Sequence, residues 1–418
     1  MLNSSKYITV MFPYPSGSGL HIGHWYNYAI VDSYCNLQRY LGYEVYQPFG
    51  YDSFGLPTEN YARLYGRDPL KVTEENIINF NEEIERMNTS FVYKLSTHSL
   101  SYQKHTKDIF KMLLDHDLAY KAKREQDYCP SCETVLAKEQ VKDYKCDRCS
   151  TLVTKKELEQ WFFRITSYKQ RLIDDLAKVD YPEKTKKQQL HWLENLTDWC
   201  VSRQRKWGCP IPIEGEIDTL DTFVDSSFYT MIYDNDRPVD VYVGGNEHAC
   251  AHLIYARFIC KFLYDIKKIT FDEPFLQVIH QGMILGPNGE KMSKSKGNII
   301  DPTIYHPQSL RMYLMFINHY FDGGKWIDNG YKGCEKFIKR FNTWLEKSEA
   351  SIENNRNDLD LESFKQKVIG YMLAWKTNKV VSEWMIFYND NKKAILKYSQ
   401  VEELREFFNI FFPYAKSK

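Results

Sequence analysis

Two histidines stand three residues apart where a helix is expected to begin. The stretch MFPYPSGSGLHIGH, residues 11–24, places His21 and His24 directly after an apolar segment and a run of prolines and glycines. Histidines at positions i and i+3 of a first helical turn lie beside its free amides and the positive end of the helix dipole, where an anion such as a triphosphate is bound. Gly19 would let a ligand approach the backbone. An ordinary capping or surface role fits the same spacing.

A second segment concentrates lysines among small polar residues. In KMSKSKGN, residues 291–298, Lys291, Lys294 and Lys296 lie between two glycines, which predicts a mobile basic loop able to neutralise charge on a transferring phosphate. Taken alone, such a run fits a solvated charged surface better.

Four of the ten cysteines form two CxxC pairs separated by 13 residues: Cys129 with Cys132, and Cys146 with Cys149. This spacing predicts a two-knuckle ribbon that holds a structural Zn²⁺ through four thiolates. A metal-free knuckle and a redox pair are the alternatives, and the redox pair lacks a thioredoxin-like context. Because so short a loop has little core of its own, the metal would supply its folding energy. The other cysteines are expected to be buried thiols.

Hydrophobic patterns predict the elements that position these residues. Apolar runs at 7–12 and 43–49 predict strands, and helical spacing over 24–41 predicts the helix between them. Such a βαβ unit indicates a parallel sheet with the ligand at the carboxyl end of its first strand. Two further runs, 240–245 and 274–285, predict strands of a second half of the same sheet.

The remaining chain has mostly helical spacing. Residues 74–120 are predicted to be helical, and the cysteine pairs interrupt that pattern. From residue 331 onward the apolar positions predict three helices, near 334–345, 364–375 and 401–411.

Composition limits the class of protein. The 418 residues are 43% hydrophobic and carry 55 basic and 55 acidic side chains. The balance removes net charge as an argument for nucleic-acid binding. Without a signal peptide or an apolar run of membrane-spanning length, a soluble cytoplasmic protein with no membrane partner is expected.

The two signatures occur together in class I aminoacyl-tRNA synthetases, and this chain resembles that family over about residues 7–412. Other segments resemble leucyl-tRNA synthetase in particular: GYDSFGLPTENYA (50–62), WCVSRQRKWGCPIP (199–212), DTFVDSSFY (221–229) and VYVGGNEHACAHLIYARF (241–258). Trp25, Tyr51 and Phe228 depart from the family at single positions that carry no predicted catalytic group.

The resemblance implies how ATP, accompanied by Mg²⁺, would be bound. His21 and His24 would contact the phosphates and stabilise the transition state as the amino-acid carboxylate attacks the α-phosphate. Lys291 and Lys294 would close over the pyrophosphate, and Glu247 would accept hydrogen bonds from the ribose. The implied ATP-binding residues are Gly19, His21, His24, Gly244, Gly245, Glu247, Lys291, Met292 and Lys294.

The resemblance also implies a leucine site. Asp52 would hold the ammonium group, and large, weakly polar side chains would enclose the branched chain. The implied amino-acid-binding residues are Met11, Phe12, Tyr14, Asp52, Phe223, Ser226, Tyr229, Tyr242, His248 and His252. Each aromatic residue taken alone fits ordinary core packing equally well.

The implied fold is α/β: a Rossmann-like parallel sheet split by an insertion, with a zinc ribbon and a carboxyl-terminal α-helical bundle. The expected regions are 1–120 and 159–300 for the two halves of the catalytic domain, 121–158 for the zinc ribbon, 301–330 for a connecting segment and 331–418 for a truncated helical, anticodon-binding-like domain.

Two expected parts of the family are missing from the sequence pattern. Residues 181–196 run directly into 197–208, which leaves no room for the editing domain, and the helices stop before the family's further carboxyl-terminal domain. We therefore expect leucine activation without cis editing and transfer of leucine to tRNA, aided by the basic stretches 184–187 and 203–206. A stand-alone paralogue that passes leucine to a carrier protein, peptide or small molecule is the alternative. A non-catalytic role is disfavoured because both signatures are intact.

Overall fold

The computed structural model describes residues 5–15, 19–136, 140–292, 297–351 and 357–414. Strands lie mainly in the first four fifths of the chain. In chain order they are β1 (Ser5–Val10), β2 (Glu44–Tyr46), β3 (Pro48–Tyr51), β4 (Val92–Ser96), β5 (Ala119–Cys129), β6 (Thr134–Val135), β7 (Val141–Lys142), β8 (Lys145–Cys146), β9 (Thr154–Phe163), β10 (Trp199–Cys200), β11 (Ser202–Arg203), β12 (Thr219–Leu220), β13 (Val239–Gly245), β14 (Phe275–Gln281), β15 (Met283–Leu285) and β16 (Gly323–Lys325).

Helices connect these strands and make up the end of the chain. In chain order they are α1 (Ile22–Tyr40), α2 (Leu56–Leu64), α3 (Pro69–Met87), α4 (Leu100–Asp115), α5 (Lys169–Asp174), α6 (Glu183–Glu194), α7 (Thr222–Ser226), α8 (Tyr229–Tyr233), α9 (His252–Asp265), α10 (Pro307–Phe316), α11 (Asp328–Ala350), α12 (Leu361–Leu373), α13 (Thr377–Asn391) and α14 (Tyr398–Phe411). Within the described ranges, no helix has both the length and the apolarity needed to cross a membrane.

A parallel sheet joins the two halves of the fold, in the order β14, β13, β1, β2. The register pairs Val10 with Val243, so the residues after β1 and the glycines that end β13 emerge at the same edge. Helix α1 follows β1 and packs against β1, β2 and β13. The predicted parallel α/β sheet is confirmed, and its carboxyl edge is where the candidate site lies.

The predicted helix over 74–120 is wrong in two places. Helix α3 ends at Asn88, whose φ of 51° is left-handed, and β4 then pairs in parallel with β3. Ser99 caps α4, and the chain is extended again from Ala119. The strand β4 has only five residues, and its partner β3 lies more than 40 residues earlier in the chain. Local periodicity does not detect so distant a pairing, and the strand was therefore missed.

The cysteine-containing insertion is a long antiparallel ribbon. Strands β5 and β9 pair from Ala119 opposite Phe163 to Tyr128 opposite Thr154, and the small hairpin β7–β8 lies beyond them. The paired strands extend past the expected limits of 121 and 158 at both ends. The ribbon therefore projects from the sheet-containing part and carries the CxxC pairs at its far end.

Among its described residues, the carboxyl-terminal part contains four helices, α11 to α14, where three were predicted. The unpredicted helix is α13, which begins after Trp375, a residue with a left-handed φ of 56°. Helix α10 joins these helices to α1, and the buried Arg311 guanidinium donates to the Asp32 carboxylate at 2.8 Å and to the Ser33 hydroxyl at 3.0 Å. The helical part is thus tied directly to the helix that carries the histidine pair.

Candidate functional site

The histidine pair forms the first turn of α1 and caps it. The Nδ1 atom of His21 accepts hydrogen bonds from the backbone amides of Gly23 at 3.0 Å and His24 at 3.3 Å, and Nδ1 of His24 accepts from the His21 amide at 3.2 Å. The two rings stack with centroids 3.7 Å apart. Because each Nδ1 is an acceptor, the proton of each neutral ring lies on Nε2. Capping therefore leaves two Nε2–H donors for a ligand.

Electrostatics keep both rings neutral near pH 7. Loss of hydration lowers the pKa of His21 and lowers that of His24 further. Glu247 raises the pKa of His21 and Lys291 lowers it, so both charged groups act on the same ring. Glu247 and Lys291, two of the predicted ATP-binding residues, therefore lie close enough to His21 to affect its charge, and both histidine rings are available as neutral hydrogen-bond donors.

Gly244 and Gly245 end β13 at the carboxyl edge of the sheet, as predicted. A Cβ atom at Gly244 would collide with the Met11 thioether, so glycine is required for these two segments to approach. The Gly244 carbonyl accepts a hydrogen bond from Nδ1 of His280 at 2.9 Å. The other ring nitrogen of His280 is buried and has no partner among the described residues.

His280 is a site residue that the sequence analysis missed. It is paired with Gly244 in the register of β13 and β14. Its position at the end of a predicted parallel strand was the available signal, because ligands bind at that edge of such sheets.

The lysine segment begins with a tight turn. Residues Leu285 and Lys291 form an antiparallel bridge around Gly289, whose φ is 80°. The Lys291 carbonyl accepts from the Asn298 amide at 3.3 Å, and Met292 packs against the core. Lys294 lies outside the described residues, so its predicted role stays a prediction.

Asp52 is a buried carboxylate that forms no ion pair among the described residues, although the buried Arg205 lies close enough to lower its pKa. It is 3% exposed, and its Oδ1 accepts from the Thr222 hydroxyl at 3.0 Å. Burial raises its pKa to about 7, and the nearby Asp221 adds to this effect. A bound ammonium group would supply the missing positive charge and favour the ionised carboxylate.

Next to Asp52, several of the predicted pocket residues come together. The Phe12 ring stacks on Tyr229 with centroids 4.0 Å apart, and the Tyr229 and Tyr242 hydroxyls are hydrogen-bonded. The Tyr242 hydroxyl also lies 2.7 Å from His252 Nε2, and the rings of His248 and His252 are 6.0 Å apart. The cluster is apolar on its ring faces and polar where the tyrosine hydroxyls meet His252.

The other predicted pocket residues have different contacts. Asp52 raises the pKa of the half-buried Tyr14, after the larger effect of burial, so this tyrosine lies near the carboxylate. The Phe223 ring lies 5.9 Å from Tyr255, and the Ser226 hydroxyl donates within its own helix at 3.4 Å. In the described chain, neither Phe223 nor Ser226 makes a hydrogen bond or ring contact with the tyrosine–histidine cluster.

The four predicted zinc ligands converge at the end of the ribbon. The sulfur atoms of Cys129, Cys132, Cys146 and Cys149 all lie within 4.8 Å of one another, with Cys129 and Cys149 at 3.4 Å. Tetrahedral Zn²⁺ with bonds of about 2.3 Å places its sulfur ligands about 3.8 Å apart. The donor set and spacing fit Zn²⁺.

The cysteine cluster is docked onto α2, the helix that follows Asp52. Asn60 donates to the Cys132 sulfur at 3.5 Å, and Arg63 donates to the Ser131 carbonyl at 2.8 Å. Leu56 packs in the same small core as the cysteines. The knuckle is therefore fixed to the helix that begins four residues after Asp52.

The basic stretch 203–206 is not the exposed surface that we expected for tRNA. Arg203 is 1% exposed and donates to the Asp221 carboxylate at 2.6 Å. Arg205 is also buried, whereas Lys206 and the more distant Lys184 are exposed. The internal Asp221 carboxylate pairs with Arg203, and Arg205 donates to the Phe54 carbonyl at 3.4 Å; a linear charge count reveals neither partner.

Comparison with known proteins identifies the family. The family model described as tRNA synthetases class I (M) matches residues 6–348. The chain is 30% identical to a leucine-tRNA ligase of Clostridium kluyveri over 90% of this chain and 78% of the relative. It is 28% identical to a leucine-tRNA ligase of Clostridium perfringens, over 99% and 82% of the two chains.

Solved structures show the same fold. A LeuRS of Agrobacterium radiobacter K84, crystallised as a ternary complex with tRNA and LeuAMS, superposes with a TM-score of 0.88 at 24% identity and covers 99% of this chain and 84% of that one. Methionyl-tRNA synthetase of Mycobacterium tuberculosis, in complex with methionyl-adenylate, gives a TM-score of 0.76 at 19% identity, with 98% and 89% coverage. The chain is an aminoacyl-tRNA ligase that belongs to the class I aminoacyl-tRNA synthetases and, within them, to the leucine-tRNA ligase family.

Proposed function

We propose that this protein activates leucine with ATP and transfers it to tRNA, without hydrolytic editing in its own chain. The observation that carries the proposal is the buried Asp52 carboxylate, which forms no ion pair among the described residues and lies beside the Phe12–Tyr229–Tyr242 cluster. The Asp52 amide donates to the carbonyl of Pro13, in the segment that leads from β1 to the histidine turn. The Asp52 carboxylate is suited to the ammonium group of an amino acid, the aromatic cluster to its side chain, and the histidine turn to the phosphates of a nucleotide.

Adenylation requires positioning and electrostatic stabilisation, with no covalent enzyme intermediate. The leucine carboxylate attacks the α-phosphorus, the bond to the bridging oxygen breaks, and pyrophosphate leaves. The Nε2–H groups of His21 and His24 donate to phosphate oxygens as charge develops there. Lys291 and Lys294 approach the pyrophosphate, and Glu247 accepts from the ribose hydroxyls. A hydroxyl of the terminal tRNA ribose then attacks the leucyl carbonyl, its proton passes to the departing phosphate, the bond from the carbonyl carbon to the phosphate oxygen breaks, and AMP leaves.

Two metal ions accompany this proposal. In the described part of the chain, the cysteine cluster is the one group of three or more such side chains that converge closely enough to ligate a metal. Zn²⁺ there would stabilise the knuckle and, through it, α2. Since the donors near the phosphates are imidazoles and amides rather than clustered carboxylates, Mg²⁺ is expected to enter with ATP and offset part of its charge.

The absence of editing is supported by two observations. Residues 195–198 alone connect α6 to β10, the place where the family's editing domain was expected. The alignment with the Clostridium kluyveri relative runs over 637 positions although this chain has 418 residues, so that relative has segments without a counterpart here. Side-chain selection then depends on the pocket, where one methylene contributes about 10- to 200-fold.

Three assays on the purified chain test the proposal in order. Leucine should stimulate ATP–pyrophosphate exchange, with isoleucine, valine and methionine as competing substrates. Labelled leucine should enter acid-precipitable tRNA from the native host. Preformed isoleucyl-tRNA should hydrolyse at the same rate with and without the protein.

Each assay has a result that contradicts one part. Exchange without leucine dependence would refute leucine activation. Exchange without charging of tRNA would favour the carrier-protein, peptide or small-molecule acceptor. Faster hydrolysis of isoleucyl-tRNA would refute the absence of editing.

A further inference from the structure

One glutamate on α3 holds the segment that enters the histidine turn. Glu83 is 8% exposed, and its Oε1 accepts from the Leu20 backbone amide at 3.0 Å. Its Oε2 accepts from the indole N–H of Trp25 at 3.2 Å. The two hydrogen bonds flank His21 and His24, one on each side in the chain. A Cβ atom at Gly19 would collide with Glu83 Oε1, so a side chain there would displace the carboxylate from its present position.

The next turn of α3 contacts the segment that follows the lysine-rich loop. Arg86 donates to the backbone carbonyls of Pro302 at 3.1 Å, Thr303 at 2.7 Å and Tyr305 at 2.5 Å. Its guanidinium also lies over the Trp25 ring, 5.9 Å from the centroid. The Trp25 indole is therefore held by Glu83 through its N–H and by Arg86 over its face.

We propose that Glu83 is a positioning residue for adenylation, acting with Trp25 and Arg86 to hold the histidine turn in a fixed place relative to the segment after the lysine loop. This inference rests on the proposed function, because it assumes that the turn binds the phosphates of ATP. Glu83 itself touches no predicted substrate group.

The physical argument concerns the Nε2–H donors. Their directions depend on the backbone of residues 20–25, since each ring is oriented by hydrogen bonds within this turn. A carboxylate accepts two N–H groups strongly, whereas a glutamine at this position would turn an amide donor toward one of them. A displacement of about 1 Å at a reacting group can reduce a rate by about 100-fold.

The experiment compares Glu83→Gln with Glu82→Gln, an exposed neighbour on the same helix. Leucine-dependent ATP–pyrophosphate exchange is measured per active site, counted by the burst of adenylate formation. We expect kcat to fall by about 10- to 100-fold in Glu83→Gln. The KM for leucine should stay within about twofold of the unaltered chain, since Asp52 and the aromatic pocket do not depend on this contact. Glu82→Gln should leave both constants unchanged.

A second variant tests the same contact from the other side. Trp25→Phe removes the indole N–H and keeps an aromatic ring against Arg86. Its effect should be smaller, and it should not add to that of Glu83→Gln in the double variant, because both changes break one interaction. If Glu83→Gln fails to fold, the kcat and KM of Trp25→Phe decide the question.

The outcomes separate this inference from the function on which it rests. If the unaltered chain exchanges pyrophosphate but Glu83→Gln matches Glu82→Gln, Glu83 is not a positioning residue. A rise in the KM for leucine together with the fall in kcat would indicate a general structural defect and would also overturn the inference. If the unaltered chain shows no leucine-dependent exchange, the proposed function fails first.

Discussion

Binding of leucine should release a proton, because Asp52 is protonated in the empty site at mildly acidic pH. Its pKa is about 7 in the free protein, against an ordinary 3.8. At pH 6 the carboxyl is therefore about nine-tenths protonated, and at pH 8 about one-tenth. A bound ammonium group favours the ionised form, so we expect about 0.9 protons released per leucine at pH 6 and about 0.1 at pH 8.

The sign of the pH dependence follows from the same pKa. Protonation of Asp52 competes with leucine, so affinity weakens as pH falls through 7. The ionised fraction drops about tenfold between pH 8 and pH 6, and the Kd for leucine should rise by the same factor, about 1.4 kcal/mol. The kcat/KM for leucine in the exchange assay should fall in parallel.

Titration calorimetry in two buffers of different ionisation enthalpy measures the released proton directly. Asp52→Asn should abolish the release and weaken leucine binding. The hydrogen bond from Thr222 to Oδ1 lowers the pKa of Asp52. Thr222→Val removes this bond and should therefore move the midpoint of the proton release to higher pH. Asp218→Asn is the control, because this half-buried acid also has a raised pKa, accepts from Gln204 at 2.7 Å and is not shifted by Asp52, so the release should stay in place. Leucine binding at pH 6 without proton release would refute the assignment of Asp52.

Three further results are expected. Cys146→Ser should remove bound zinc, measured by atomic absorption, and lower the Tm, since the ribbon's small core depends on the metal. His24→Ala should lower the exchange rate by about 100- to 1,000-fold with little change in leucine binding, because it removes one donor to the developing charge. Arg311→Met should lower the free energy of unfolding in urea by about 3 to 5 kcal/mol, since it leaves Asp32 buried without its cation.

Controls separate these effects from general damage. Cys334→Ser, a buried cysteine of α11 outside the knuckle, should leave the zinc content unchanged. Exchange by His24→Ala at the normal rate would remove the histidine from the mechanism. Arg405→Met breaks an exposed ion pair at 2.7 Å and should change stability by less than about 1 kcal/mol. If Arg311→Met lowered the free energy of unfolding by no more than Arg405→Met does, the buried Arg311–Asp32 pair would contribute no more to stability than an exposed pair.

Local sequence patterns were sufficient for the parallel arrangement of the central sheet and for the histidine turn. They did not give every strand limit: the predicted strand 43–49 is divided into β2 and β3, and 274–285 into β14 and β15, and β3 and β15 pair in other sheets. The strand before His21 and the helix after it have clear periodicities and breakers, and the parallel arrangement follows from their order. The cysteine spacing likewise predicted a cluster that the structure confirms.

The missed features depend on contacts between distant parts of the chain. Strand β4 is defined by its pairing with β3, and α13 follows α12 after a turn too short to stand out in the pattern. Arg203 was expected to contribute to a basic surface for tRNA. The sequence did not reveal its burial, because the burial depends on its ion pair with Asp221. Glu83 belongs to no motif, and its role emerges only where α3 crosses the histidine turn. The sequence identified which residue types could do chemistry, whereas the residues that each of them contacts could be identified only from the fold.

The base of the cysteine ribbon has a consequence for how this family can change in size. Phe163 pairs with Ala119 on one side and with Trp199 on the other. The segments 120–162 and 164–198 therefore both begin and end at this one place in the fold. A module inserted in either of these two segments would not strain the sheet, because the ends of each segment are already held close together. The free-energy cost of closing a longer loop is also small, since it grows only with the logarithm of the loop length. Whole modules can therefore be gained or lost here over evolution while the residues at the sheet edge keep their positions.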